Sequence, residues 1–213
     1  MYSVLDYLDR LTEITSEDIN TALVLTNNTT HENSFLQAPD YVASLTISDY
    51  GSSPFKKEMG YHINAGAIKR ISEWINFLKK ENVYDNTRII IVSDHGPEPN
   101  YVTNLGLPFN VDQFNPLLMV KDFNASGKLI TDMSFMSNAD VPYLSLNGVI
   151  ENPKNPFTGN SISIERKKDP LLILIYGSMH VSEFEKSRSQ DNLYYVHDNI
   201  FKKENWVPYS IQK

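Results

Sequence analysis

The chain has 213 residues, 41% hydrophobic and 21% charged, with a net charge of -7, which suits one sizeable domain over residues 1 to 213. That acidic balance argues against binding to nucleic acid and to anionic membrane surfaces. The chain has no cysteine, which excludes disulfides and thiolate zinc sites.

No run approaches the roughly 18 apolar residues needed to span a bilayer. Asp6, Asp9 and Glu13 interrupt any signal-peptide pattern at the start. Residues 2 to 12 place Val4, Leu5, Tyr7, Leu8 and Leu11 at helical spacing, which predicts a short amphipathic helix. Glu13 to Asn20 reads as a polar linker. Thr21 to Thr26 (Thr-Ala-Leu-Val-Leu-Thr) reads as a buried strand that ends in a polar cluster, Asn27 to His31. On its residues alone, His31 is a loop histidine bonded to a nearby carbonyl. Gln37 to Pro54, with Pro39, Gly51 and Pro54, lacks periodicity and reads as an extended loop across the mouth of a site, with Tyr41 and Tyr50 facing it or anchoring it.

Gly60 to Glu81 carries the strongest helical pattern. Ile63, Ala67, Ile68, Ile71, Trp74, Ile75 and Leu78 make one apolar stripe. Lys79 and Lys80 suit the negative end of the helix dipole, and Asn82 can take a left-handed cap. His62 reads as a capping or surface residue. A tight turn, Val83 to Thr87, then leads into Ile89-Ile90-Ile91-Val92, a β-branched run of the kind buried on both faces in a parallel sheet. The run breaks sharply into Ser93, Asp94, His95, Gly96 and Pro97. Open α/β sheets carry their chemistry just past such strand ends. A carboxylate beside a neutral imidazole suits zinc, manganese or a similar divalent ion, and Gly96 admits a turn that a Cβ would obstruct. The same tripeptide also serves as an ordinary turn.

Asn115 to Phe123 reads as a third strand, followed by a turn through Asn124 and Gly127 and an edge strand over Leu129 to Phe135. Asn138 to Pro142 reads as a helix start, with Asn138 as N-cap and Asp140 placed for the helix dipole. Asn152 to Ser161 reads as a surface connection, Leu171 to Tyr176 as a buried strand and Ser182 to Ser187 as a short helix. Leu193 to His197 and Ile200 to Tyr209 read as a β-hairpin around Asp198-Asn199. His180 and His197 read as structural.

The Tyr-x-x-Asn-Ala opening at Tyr61, then Leu78-Lys79-Lys80, Tyr84-Asp85-Asn86-Thr87 and Ile-Ile-Ile-Val-Ser-Asp-His-Gly agree in order and spacing with a known pattern. The chain resembles the C-terminal half of the sulfatase-like branch of the alkaline phosphatase superfamily. It is most similar to membrane-anchored phosphoglycerol and phosphoethanolamine transferases and lipoteichoic acid synthases. The resemblance implies an α/β fold, a mainly parallel sheet sandwiched by helices with a C-terminal β-hairpin. It implies a divalent metal (zinc, manganese, magnesium or calcium) held in part by Asp94 and His95, and a substrate anion contacted by His31, with Thr30 and Glu32 as weaker candidates.

The substrate so implied is a phosphate or sulfate ester, a lipid head group being one form. The resemblance also implies that the nucleophile, the remaining acidic ligands and a membrane region lie upstream, in a longer protein at the extracytoplasmic face of a bacterial membrane. On that view the 213-residue chain is inactive alone. The chain departs from the family in one respect: no histidine or lysine occurs between Pro97 and Met119, and Asn100, Tyr101 or Asn104 would have to substitute. A second expectation of another class remains, a non-catalytic binding or scaffold module of an envelope protein.

Overall fold

The computed structural model describes residues 2–17, 19–31, 36–97, 103–163, 170–175 and 192–209. The chain forms two compact units, Met1–Thr87 and Arg88–Lys213, each described by itself.

In the first unit, the expected N-terminal helix is broken into α1 (Tyr2–Asp6) and α2 (Leu8–Leu11) at Tyr7. Both pack on α3 (Met59–Lys80), where Leu5, Leu8 and Ala67 form a buried cluster with Trp74 against it. The Trp74 indole donates to Thr12 Oγ1 at 2.8 Å, and the Arg70 guanidinium pairs with the Asp6 carboxylate. The helix ends as its sequence requires. The Asn82 N–H donates to Lys79 O at 3.2 Å, and Asn82 takes a left-handed φ of 58°.

His62 corrects the expectation of a surface residue, being wholly buried. Its Nε2 donates to Lys56 O at 2.7 Å, and its Nδ1 accepts from Ala38 N at 3.4 Å. It thereby ties the loop before α3, and the short antiparallel pair β1 (Leu36–Gln37) and β2 (Val42–Ala43), to the helix. Thr21 to Thr26 is a second correction. The segment is unpaired among the described residues, and Val24 is 89% exposed. An aliphatic run specifies that a strand would be apolar, but the ladder itself needs a neighbour.

In the second unit, the expected mainly parallel sheet sandwiched by helices does not form. β3 (Ile89–Val92) pairs antiparallel with β4 (Leu118–Lys121), Ile89 opposite Lys121 and Val92 opposite Leu118. A separate sheet has the order β5 (Leu171–Leu174), β6 (Leu193–Val196), β7 (Trp206–Pro208), again antiparallel throughout. A parallel pair needs a crossover of a dozen or more residues, usually a helix lying on one sheet face. Among the described residues between β3 and β4, the only helical piece is the 3-10 turn Val111–Phe114, so the chain simply returns beside itself. The terminal antiparallel pair is present, with its connection spread over residues 197–205.

Leu129 to Phe135 forms no strand either, and Leu129 is 80% exposed. The turn through Asn124 and Gly127 is as expected, both residues having positive φ. The helix start is shifted by one residue. Ser137, not Asn138, is the N-cap of the 3-10 turn Asn138–Asp140, which runs into α4 (Val141–Leu146).

The second unit's core is aromatic. Val111, Tyr194, Val196 and Trp206 are buried together, with Phe109 and Phe114 packed edge-on or tilted against Trp206 at 5.0 and 5.4 Å between centroids. The Trp206 indole donates to Ile200 O at 2.7 Å, which satisfies its one polar atom. Tyr176, His180, the helix expected over 182–187, Glu32, Asn100 and Tyr101 lie outside the described residues.

Candidate functional site

Val111 has no exposed surface, and this anchors the 3-10 turn Val111–Phe114 to the aromatic core. Asn110 caps that turn by accepting from Asp112 N at 3.0 Å. The buried Asp112 carboxylate accepts from Thr103 N at 2.6 Å and from Thr103 Oγ1 at 2.8 Å. The turn then receives the loop that follows β3. Gly96 N donates to Gln113 O at 2.8 Å. A Cβ there would collide with the Asp112 carbonyl oxygen and stand 2.7 Å from the Asn115 carbonyl oxygen. The glycine is thus required by close approach, and its φ is not positive.

The other end of the loop is fixed by a change in the strand ladder. Ser93 N donates to Leu117 O at 3.0 Å in the ordinary way. Leu117 N, however, donates to the Ser93 hydroxyl at 2.7 Å and not to the Ser93 carbonyl. The same hydroxyl donates to His95 O at 3.0 Å. The released Ser93 carbonyl accepts from Asn138 Nδ2 at 2.9 Å, and the Asp94 carbonyl accepts from that same nitrogen at 3.1 Å.

On this clamped loop Asp94 and His95 stand out into solvent, their side chains 87% and 50% exposed. Asp94 Oδ1 accepts from His95 N at 3.0 Å. His95 Nδ1 lies 2.7 Å from Gly96 O. A carbonyl only accepts, so Nδ1 carries the proton and, in the neutral ring, Nε2 carries the lone pair. Nε2 is 3.9 Å from Asp94 Oδ2. That is too long for a hydrogen bond, and it places two electron-rich atoms side by side.

A histidine whose second nitrogen donates to a backbone carbonyl has the form of a metal-ligating one. Donor atoms sharing one ion at about 2.1 Å stand about 3 to 3.5 Å apart. The observed 3.9 Å exceeds that spacing, so the pair is not set at ligand distance, while a carboxylate beside a neutral imidazole is a donor set that suits a divalent ion. Among the described residues, no group of three or more His, Cys, Asp or Glu side chains could hold a metal ion.

His31 belongs to the first unit, whereas Asp94 and His95 belong to the second. It closes a turn in which His31 N donates to Asn28 O at 3.1 Å and Thr29 N donates to Asn27 Oδ1 at 2.9 Å. The residue is exposed and makes a further interaction. Thr30 beside it is also exposed, while Thr29 is buried with its hydroxyl unbonded. His197 is exposed and pairs through Nδ1 with the adjacent Asp198 at 3.0 Å, a local contact.

Sequence reasoning missed the Ser93 hydroxyl, Gln113 and Asn138 as the fixtures of the loop. The available signal was weak: a serine at a strand end and an asparagine before Asp-Val-Pro. Asp140 behaves as a cap, its Oδ2 accepting from Ser137 N at 2.7 Å and from Ser137 Oγ at 3.2 Å. Among the described residues, no helix is long and apolar enough to cross a membrane. No family model matches the chain, and no curated protein or solved structure matches it.

Proposed function

We propose that the loop Ser93 to Pro97 supplies two ligands, Asp94 and His95, to a divalent-metal centre of an enzyme that acts on phosphate or sulfate esters. The observation that carries this reading is the Nδ1–H of His95 directed at Gly96 O at 2.7 Å, which leaves Nε2 beside the Asp94 carboxylate. It rests on the loop and the order of residues leading into it, not on the sheet behind. When bound, a divalent ion would polarise the ester oxygens and offset charge developing on them. Asp94 and His95 would hold that ion, and Gly96 and Ser93 would keep their backbone fixed. Phosphoglycerol or phosphoethanolamine transfer at the extracytoplasmic face of a membrane is the activity in view. The remaining ligands and the nucleophile come from outside the loop.

The test is to titrate the 213-residue chain with zinc and manganese and to assay it against nitrophenyl phosphate and nitrophenyl sulfate. Two ligands give weak binding, lost in Asp94→Ala and in His95→Ala, and no turnover by this chain alone. Metal-dependent turnover abolished by Asp94→Ala would place the nucleophile within these residues and overturn that part of the reading. Absence of metal binding would overturn the whole and favour a non-catalytic binding or scaffold module.

A further inference from the structure

We infer that Asn138 is a positioning residue for the Asp94 and His95 pair, acting through the backbone on either side of Asp94. This rests on the reading of those two residues as metal ligands. Asn138 Nδ2 donates to Ser93 O at 2.9 Å and to Asp94 O at 3.1 Å. The amide nitrogen carries two hydrogens, one for each carbonyl. Those carbonyls belong to the two peptide planes that flank the Asp94 Cα. Each plane is rigid, so fixing both fixes the two backbone torsions of Asp94 and hence the direction in which its carboxylate leaves the chain.

The orientation of the Asn138 amide is also determined, because the flipped form would set its oxygen against two carbonyl oxygens. Asn138 is itself held. It opens the 3-10 turn Asn138–Asp140, where the buried Asp140 carboxylate accepts from the Ser137 backbone and hydroxyl. The Ser93 carbonyl is free of the ladder, since the Ser93 hydroxyl has taken its place toward Leu117 N. Residues 44 and 45 positions apart in sequence are thus joined at one side chain, and the loop gains a support that touches neither ligand side chain.

The test compares wild type with Asn138→Ala, Asn138→Asp and Asn138→Gln in isotope-labelled protein, with dispersion of the Trp206 indole resonance as the check on folding. Without metal, the readouts are the Asp94 backbone coupling constant, amide hydrogen exchange at His95 and the His95 ring tautomer. With metal, the readout is the manganese concentration that half-broadens the His95 ring signals. Asn138→Asp keeps the shape but replaces the donor with an acceptor facing two carbonyls. It should perturb the loop at least as much as Asn138→Ala, and both should raise the half-broadening concentration about tenfold. Asn138→Gln keeps the donor and should recover part of the wild-type behaviour. Wild-type coupling, exchange and tautomer in Asn138→Asp would overturn the proposal. Should wild type bind no manganese while Asn138→Asp still disturbs the metal-free loop, the positioning role stands and the metal reading falls.

Discussion

Replacing Gly96 with alanine tests the seat on which the loop rests. The added Cβ meets the Asp112 carbonyl oxygen well inside contact distance and lies 2.7 Å from the Asn115 carbonyl oxygen. Both are backbone atoms of a turn whose Val111 is locked in the aromatic core, so neither can swing aside as a flexible side chain would. Overpacking of this kind costs about 1 to 3 kcal/mol. Moving the loop outward also breaks the 2.8 Å bond from Gly96 N to Gln113 O, worth about 0.5 to 1.5 kcal/mol. Together the loss is about 2 to 4 kcal/mol, a large share of the 5 to 15 kcal/mol typical of a whole protein.

The assay is urea unfolding followed by Trp206 fluorescence in a Trp74→Phe background, which silences the first unit's tryptophan and leaves the second unit's as sole reporter. With a urea dependence of about 2 kcal/mol per M, the middle of the usual range, the midpoint should fall by about 1 to 2 M. Gly60→Ala is the control. It lies in α3 with nothing within 4 Å of the new Cβ, and should be neutral or stabilising by up to about 1 kcal/mol. An unchanged midpoint for Gly96→Ala would refute the close approach and with it the account of why a glycine follows Asp94-His95.

His62→Phe keeps a ring in place but leaves the buried Ala38 N–H and the Lys56 carbonyl without their partner, a loss of about 1 to 3 kcal/mol. Urea unfolding followed by Trp74 fluorescence should show it, and a wild-type midpoint would remove His62 as the tie to the loop. Asp122 bonds the Arg88 guanidinium at 2.9 and 2.8 Å and the Phe123 N–H at 2.7 Å, and these contacts, the Arg88 bond first, hold its carboxyl below the usual carboxylate range. Its folded pKa is therefore the lower one, so its stabilisation is present above the unfolded value near 4 and fades as pH falls toward the folded value. Asp122→Asn should flatten the acid limb of a stability profile below about pH 4. Asp122 is more than half exposed, so the effect is small, and an acid limb identical to wild type would show the pair to be energetically silent.

Local features proved the most legible in the sequence. The apolar stripe from Ile63 to Leu78 specifies α3 because it needs only one buried face, and Asn82 supplies the cap wherever the helix packs. The break from Val92 into Ser-Asp-His-Gly was readable as a polar tip because a β-branched run cannot continue through it. Strand pairing was not legible. Ile89 to Val92 is apolar on both faces in either direction of pairing, and the direction is set by what joins β3 to β4. Thr21 to Thr26 and Leu129 to Phe135 illustrate the same gap, since hydrophobicity states a preference for burial without naming a partner. The fixtures of the loop were hidden for a different reason. Asn138 and Ser93 act through their side chains on distant backbone, and no spacing rule links residues so far apart.

Manganese line broadening in the 213-residue chain tests the central claim most directly. Paramagnetic manganese relaxes only nearby nuclei, so it reports which residues hold the ion and not merely that some carboxylate binds it. The account predicts that the His95 ring and the Asp94 backbone signals broaden first, ahead of those of other exposed carboxylates such as Asp132. It also predicts that Asp94→Ala and His95→Ala each abolish this selectivity. Uniform broadening across the surface acids, or selective broadening at His95 that survives Asp94→Ala, would contradict it.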